Sequence, residues 1–437
     1  MIELVRKIKD PALGEAYTEY KHTSGLTILL YPKRFNTAYA MLTTRYGSLD
    51  RVFYRDGEEP ITVPDGVAHF LEHKMFEEED GTDVFEKFAA LGANANAFTS
   101  FDMTSYLFSA TDHITELLEI LISFVMHPHF TEENVEKEKG IIGQEIGMCD
   151  DRPNTRLYYS LLEGLYQKHN VRVNIAGTVA SIAEITPDVL YRCYGTFYHP
   201  SNMILAVCSP VPDDELLSCI DNALGSDIPA ARPIYKLRSE EPCEIASPMT
   251  ELYMEIARPK IALGVKDNDV NIEPKQMLKR LITFSILLKL FFARSSPYFN
   301  SLYRRGLTDD TLDVTYETVE SCAFLIATAD SDKPEEALEE LERFLKDIPM
   351  DTVSEEDFLR VKRVVYAERV RMLDSTESIT SEMTDAHLHG YTVWDVNDTL
   401  KDVTLEDVKA LAREFFKNKE FARVVIRPVR AEKKETV

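Results

Sequence analysis

Apolar residues change their spacing along the chain in blocks, and the blocks sort into strands and helices. Gly25–Pro32 (GLTILLYP) and Ala38–Gly47 (AYAMLTTRYG) are β-rich runs of strand length and read as neighbours in one sheet. Residues 64–76 (PDGVAHFLEHKMF) switch to a helical period, with Val67, Phe70, Leu71 and Met75 apolar and Asp65 as the expected cap. Gly81–Phe85 opens a second amphipathic helix with Phe85, Phe88 and Leu91 on one side. Residues 94–108 (NANAFTSFDMTSYLF) are enriched in Thr, Tyr and Phe and have strand composition. Ile114–Val125 is helical through Leu117, Leu118, Ile120, Leu121 and Phe124. From Thr131, with two glutamates in its first turn, another helix runs through Val135, Glu138, Ile141, Ile142, Glu145 and Ile146. Glu138 and Glu145 therefore lie two turns apart on one stripe. Helical segments continue to about Val189, and Asn202–Cys208 reads as a strand.

Between Ala223 and Pro248 the pattern breaks into Gly, Ser, Pro and mixed charge. This divides the chain into an N-terminal domain, residues 1–225, a linker, residues 226–247, and a C-terminal domain, residues 248–437. Beyond the linker the order of elements starts again: a strand at Lys260–Val265, a helix at Gln276–Phe292, a short helix at Phe299–Tyr303 ending at Gly306, a strand at Ala323–Ala327, then two helices. Placing Thr131 over Ser354 aligns Lys139 with Lys362, Ile141 and Ile142 with Val364 and Val365, and Glu145 with Glu368, while Glu138 meets Val361. The match reads as an internal duplication of half the chain, against the alternative that two amphipathic helices with acidic first turns look alike by chance. Residues 287–292 (LLKLFF) stand in the second copy where the first has HxxEH.

That motif carries the first chemistry. His69 and His73, at i and i+4, share a helix face and can grip one metal ion, and Glu72 lies on nearly the same face, within reach of a water in an open coordination position. By spacing alone a solvated helix face accounts for the histidines equally well; Glu138 and Glu145 on the later helix favour the metal. His127 and His129 read as structural, as do His387 and His389, because neither pair has a carboxylate or thiol at suitable spacing. His199 reads as a packing or turn residue.

Length and charge narrow the class. A chain of 437 residues exceeds one ordinary core. A net charge of −25 repels phosphate backbones and anionic membranes, which disfavours nucleic acid and membrane surfaces and favours a basic peptide. The N-terminus has no apolar signal core, and the most apolar run, Leu281–Ala293, contains Lys289 and is too short to span a bilayer. Six cysteines without a CxxC pair read as reduced thiols. The expectation is a soluble, cytoplasmic protein.

HFLEH, then Gly81 and Thr82, then residues 93–99 (ANANAFT), then Glu138 and Glu145, then residues 197–203 (FYHPSNM) occur in this order. In this the chain resembles the inverzincin zinc metallopeptidases of the pitrilysin, insulysin and mitochondrial processing peptidase family, most of all the bacterial half-length members. The resemblance covers most of the chain. It implies an α+β fold of two homologous domains, each a mostly antiparallel sheet with helices packed on one face, together half of a clamshell. It implies a zinc endopeptidase for short or unfolded peptides, with His69, His73 and Glu145 as metal ligands, Glu72 as catalytic base, and Glu138 orienting a ligand histidine. It further implies that Asn96, Ala97 and Phe98 hold the substrate as an added strand.

One segment departs from the family pattern. Its second domain presents an Arg and a Tyr to the substrate carbonyl, whereas residues 300–310 (NSLYRRGLTDD) place Leu302 four before and Asp309 three after Gly306, with Tyr303, Arg304 and Arg305 out of register. The expectation is a dimer with a homologous subunit that lacks HxxEH and supplies the Arg and Tyr, a homodimer being the other arrangement. The competing reading is a non-catalytic peptide-binding or assembly subunit of the same fold.

Overall fold

The computed structural model describes residues 1–225, 228–270 and 272–429. Its contacts gather into two compact units, each assembled from separate stretches of chain. The first comprises residues 1–146, 174–238 and 368–397; the second comprises 147–173, 239–367 and the stretch from Asp398 onward.

The first unit is built on a seven-stranded sheet in the order Ile2–Asp10, Glu15–His22, Thr27–Pro32, Met203–Ser209, Ala38–Thr44, Thr104–Ala110, Asn94–Thr99. Only Thr27–Pro32 and Met203–Ser209 run parallel; the other neighbours are antiparallel. Ala38–Thr44 and Met203–Ser209 are buried at every position, so both faces of the sheet centre must be covered. Strand alternation divides the labour. Ile28 and Leu30 join the core formed with Leu117, Leu118, Leu121 and Phe70, while Leu29 and Tyr31 join a second core with Ile379, Met383, Ala386 and Trp394. Residues 368–397 thus close the far face of the first sheet.

The second unit carries a five-stranded sheet in the order Met249–Met254, Ala422–Pro428, Lys260–Asp267, Cys322–Asp330, Asp313–Val319. Its first pair is parallel and the rest are antiparallel. The fold is α+β with mostly antiparallel sheets, as expected. The helices aligned by the duplication, Glu132–Asp150 and Glu355–Met372, both form. Part of the linker stretch is ordered: Ile234–Leu237 pairs with Val52–Arg55, and Lys236 and Arg238 reach the buried Asp50 carboxylate at 3.0 and 2.6 Å. No helix among the described residues is long and apolar enough to cross a membrane.

Contrary to expectation, His389 has carboxylates beside it, Asp385 one helix turn earlier and Asp102 from a distant loop. Its Nδ1 lies 2.9 Å from the Asp385 carbonyl and 3.3 Å from Asp385 Oδ1, and its Nε2 lies 3.8 Å from Asp102 Oδ2. Burial opposes the charged ring, but the hydrogen bonds and charge of Asp385, helped by Asp102, outweigh it and raise the pKa to about 9. Because the folded value lies above the unfolded one, the stabilisation is complete below pH about 6.5 and is lost as pH rises through about 9. It is worth about 3 kcal/mol. Thermal melts should therefore show His389→Gln well below the wild type at pH 6, with the gap shrinking toward pH 10.

Candidate metal centre

The motif helix spans Val67–Lys74 and buries Val67, Ala68, Phe70 and Leu71. Asp65 does not cap it, contrary to expectation. The cap position is Gly66, at φ 91° with no side-chain cap bond, and Asp65 instead pairs with Arg51 at 3.3 Å while its carbonyl accepts from Ser181 Oγ. A Cβ on residue 66 would sit 2.5 Å from the Ala176 carbonyl oxygen, so loop contact and left-handed backbone both require glycine there.

On the opposite side of this helix the two imidazoles lie with ring centres 4.6 Å apart. Glu145, from the helix Glu132–Asp150, faces both: Oε1 is 3.7 Å from His69 Nε2 and Oε2 is 3.5 Å from His73 Nε2. These separations are long for hydrogen bonds. They suit donors that share one ion, since two ligands about 2 Å from zinc in tetrahedral directions are roughly 3.3 Å apart. Among the described residues, His69, His73 and Glu145 are the set whose donor atoms converge, all within 4.8 Å of one another. Two nitrogens and one carboxylate form a donor set that zinc accepts, with a fourth direction left open.

The surrounding groups hold this arrangement. His73 Nδ1 lies 3.0 Å from Glu138 Oε1, which leaves Nε2 facing Glu145. Burial works against a charged His73, but Glu138, Glu72 and Glu145 outweigh it and raise its pKa. His69 is driven the other way, to about 4, by burial and by the charge of His73. Its Nδ1 is buried and has no hydrogen-bond partner among the described residues. Burial likewise raises the pKa of Glu72, against the pull of a hydrogen bond from Thr99. Three carboxylates around two histidines favour a divalent cation electrostatically.

Two further residues, not singled out by the sequence, touch the carboxylates of this cluster. Lys74 is 1% exposed, and its ammonium lies 2.5 Å from Glu77 Oε2 and 3.9 Å from Glu138 Oε2, placing a cation behind the carboxylate that orients His73. Its position directly after HxxEH was the available signal. Thr99 Oγ1 donates to Glu72 Oε2 at 2.6 Å. Nothing in its strand composition singles it out.

Asn94–Thr99 forms the edge of the sheet and pairs with Thr104–Ala110. Asn94, Asn96 and Phe98 face solvent while Ala95, Ala97 and Thr99 are half-buried, and Ala95 and Ala97 pack on the core. Asn96 Oδ1 accepts from the Ala97 N–H at 2.9 Å. The turn beyond the strand is pinned by Ser48 N–H to the Ser100 carbonyl at 3.1 Å and Leu49 N–H to the Phe101 carbonyl at 2.9 Å. Asn96, Ala97 and Phe98 therefore lie on an open strand edge whose last residue touches Glu72.

In the second unit Leu302 is fully buried and Asp309 is held by Arg258 at 2.6 Å. Tyr303 is exposed, and Arg305 pairs with Glu340 at 3.1 Å.

Profiles of two families match the chain: the insulinase peptidase family M16 over residues 62–179, and the peptidase M16 inactive domain over residues 184–365. The chain is 39% identical over 415 residues to the uncharacterized zinc protease YmfH of Bacillus subtilis, covering 94% of this chain and 96% of that protein. An uncharacterized zinc protease of Mycobacterium leprae is 25% identical over 98% of both chains. The crystal structure of a candidate M16-like peptidase from Alicyclobacillus acidocaldarius superposes with a TM-score of 0.91 at 33% identity, covering 97% of this chain and all of that one. The periplasmic protease PqqL of Escherichia coli shares the fold, at 20% identity and a TM-score of 0.73, over 97% of this chain and 48% of its own length. By profile, sequence and fold, the chain belongs to the M16, or insulinase, peptidase family.

Proposed function

We propose that the chain is a zinc-dependent endopeptidase for short or unfolded peptides, with basic segments favoured by its net charge of −25. The observation that carries this reading is the convergence of His69 Nε2, His73 Nε2 and a Glu145 carboxylate oxygen within 4.8 Å, beside the buried Glu72. In this reading His69, His73 and Glu145 hold the metal, and Glu138 keeps His73 oriented from behind. A zinc ion bound there supplies Lewis acidity, bringing the pKa of a water toward neutrality and polarising a peptide carbonyl. Glu72 takes the proton from the attacking water and returns it to the leaving amine. Asn96, Ala97 and Phe98 hold the peptide as an added strand, in which case the Ala97 N–H exchanges its bond to Asn96 for one to substrate.

The carbonyl-binding groups are the part this chain does not offer at the expected positions. Leu302 is in the core and Asp309 is bound to Arg258. We assign those groups to a homologous subunit lacking HxxEH. Relatives named as zinc proteases support the metal, and the match to one half of PqqL is consistent with paired halves.

The test combines zinc analysis with cleavage of a quenched fluorescent peptide, with and without the product of a neighbouring homologous reading frame. One zinc per chain and cleavage that rises strongly with the partner are expected. Full activity of the lone chain removes the partner. Bound zinc with no cleavage under either condition replaces the enzyme with a non-catalytic peptide-binding or assembly subunit.

A further inference from the structure

We propose that Thr99 is a positioning residue for Glu72: its hydroxyl holds one carboxylate oxygen so that the other faces the attacking water, and it ties this orientation to the strand that receives the peptide. The inference rests on the function proposed above and goes beyond it in naming how the base is aimed.

Thr99 Oγ1 has two neighbours able to accept its proton: Glu72 Oε2 at 2.6 Å and Thr104 Oγ1 at 3.4 Å. Thr104 sits directly opposite Thr99 in the ladder and donates its own proton to the Tyr46 carbonyl at 2.9 Å in a fully buried contact. A hydroxyl has a single proton, and a carbonyl can only accept. The Thr99 proton therefore goes to the nearer and charged acceptor, Glu72, and an O–H···O⁻ bond of this length belongs to the strong class. Oε2 is thereby engaged. Among the described residues no hydrogen bond is made to Oε1, which remains for the water.

The backbone that carries the donor is held. Thr99 is the last residue of the edge strand, and the next two residues are pinned by the Ser48 and Leu49 amides. Gly47 packs so closely that a Cβ there would lie 2.4 Å from the Asp102 nitrogen. A line of contacts thus runs from the Tyr46 carbonyl through Thr104 and Thr99 to the carboxylate. A peptide that seats on Asn94–Thr99 acts on the same strand that aims Glu72.

Thr99→Val keeps the β-branched shape and removes the donor, whereas Thr99→Ser keeps the donor. Three readouts are compared with wild type: zinc content; kcat and KM for a quenched fluorescent peptide with the homologous subunit present; and anisotropy-detected binding of the labelled peptide to the zinc-free chain. Thr99→Val should lower kcat by about 10- to 100-fold, leaving KM, zinc content and zinc-free peptide binding unchanged, and Thr99→Ser should restore most of kcat. A Thr99→Val enzyme with wild-type kcat overturns the proposal. So does a loss that appears equally in peptide binding to the zinc-free chain, or one that serine does not repair, since either makes Thr99 a residue of the strand alone. A wild type that binds zinc and cleaves nothing overturns the functional reading itself, and does so before any variant is made.

Discussion

Glu72→Gln should retain one zinc per chain and lose peptide hydrolysis by about 10³-fold or more, the upper part of the range for removing a general acid–base group. Glutamine has nearly the volume of glutamate and can still accept the Thr99 hydrogen bond, so the motif helix and the strand edge keep their places. What it cannot do is take a proton. Glu72 makes no approach to the convergence point of His69, His73 and Glu145 that would count it among the donors, so metal content should be unaffected. Zinc analysis of the purified variant together with peptide cleavage checks both halves. Retained cleavage would remove Glu72 from its role, and lost zinc would make it a ligand.

Glu145→Ala should act in the opposite order, with zinc lost first and activity as a consequence. Removing this carboxylate leaves two imidazoles from one helix turn without the oxygens that face their Nε2 atoms, and a two-ligand site does not retain zinc against competing chelators. The contrast with Glu138→Gln makes the test specific. Glu138 meets His73 at its far nitrogen rather than at the one facing Glu145, so its substitution should weaken zinc binding by about 10- to 100-fold, as for a group behind a ligand. Competition with a chromophoric chelator orders the three proteins: wild type, then Glu138→Gln, then Glu145→Ala. If Glu138→Gln and Glu145→Ala prove equal, the division of labour between the two glutamates is wrong. The raised pKa of His73 adds a pH arm. Protons compete with the metal for His73 Nε2, so zinc affinity falls as pH drops through its titration, whereas His69, at about 4, stays neutral across the same window.

Much of this site is legible because it is local. The helical period places His69, Glu72 and His73 along one side of a single turn whatever surrounds it, and it places Glu138 and Glu145 on one stripe of a second helix. The α+β class follows from the same alternation of periods. Local rules fail where a contact from far along the chain prevails. Asp65 has the composition of a cap, but the loop at Ala176 comes so near that Gly66 takes the position.

The sequence by itself determined which side chains share a face: the two histidines, the seven-residue pair of glutamates, and the alternating edge of Asn94–Thr99. Only the tertiary structure decided what each face meets. It set Glu145 across from the imidazoles, buried Lys74 behind Glu138, turned Thr99 onto Glu72, and drew residues 368–397 onto the far face of the first sheet. The physical reason is that periodicity records the direction of a side chain relative to its own backbone axis, while a partner more than a few turns away depends on how the whole chain closes, which no local spacing encodes.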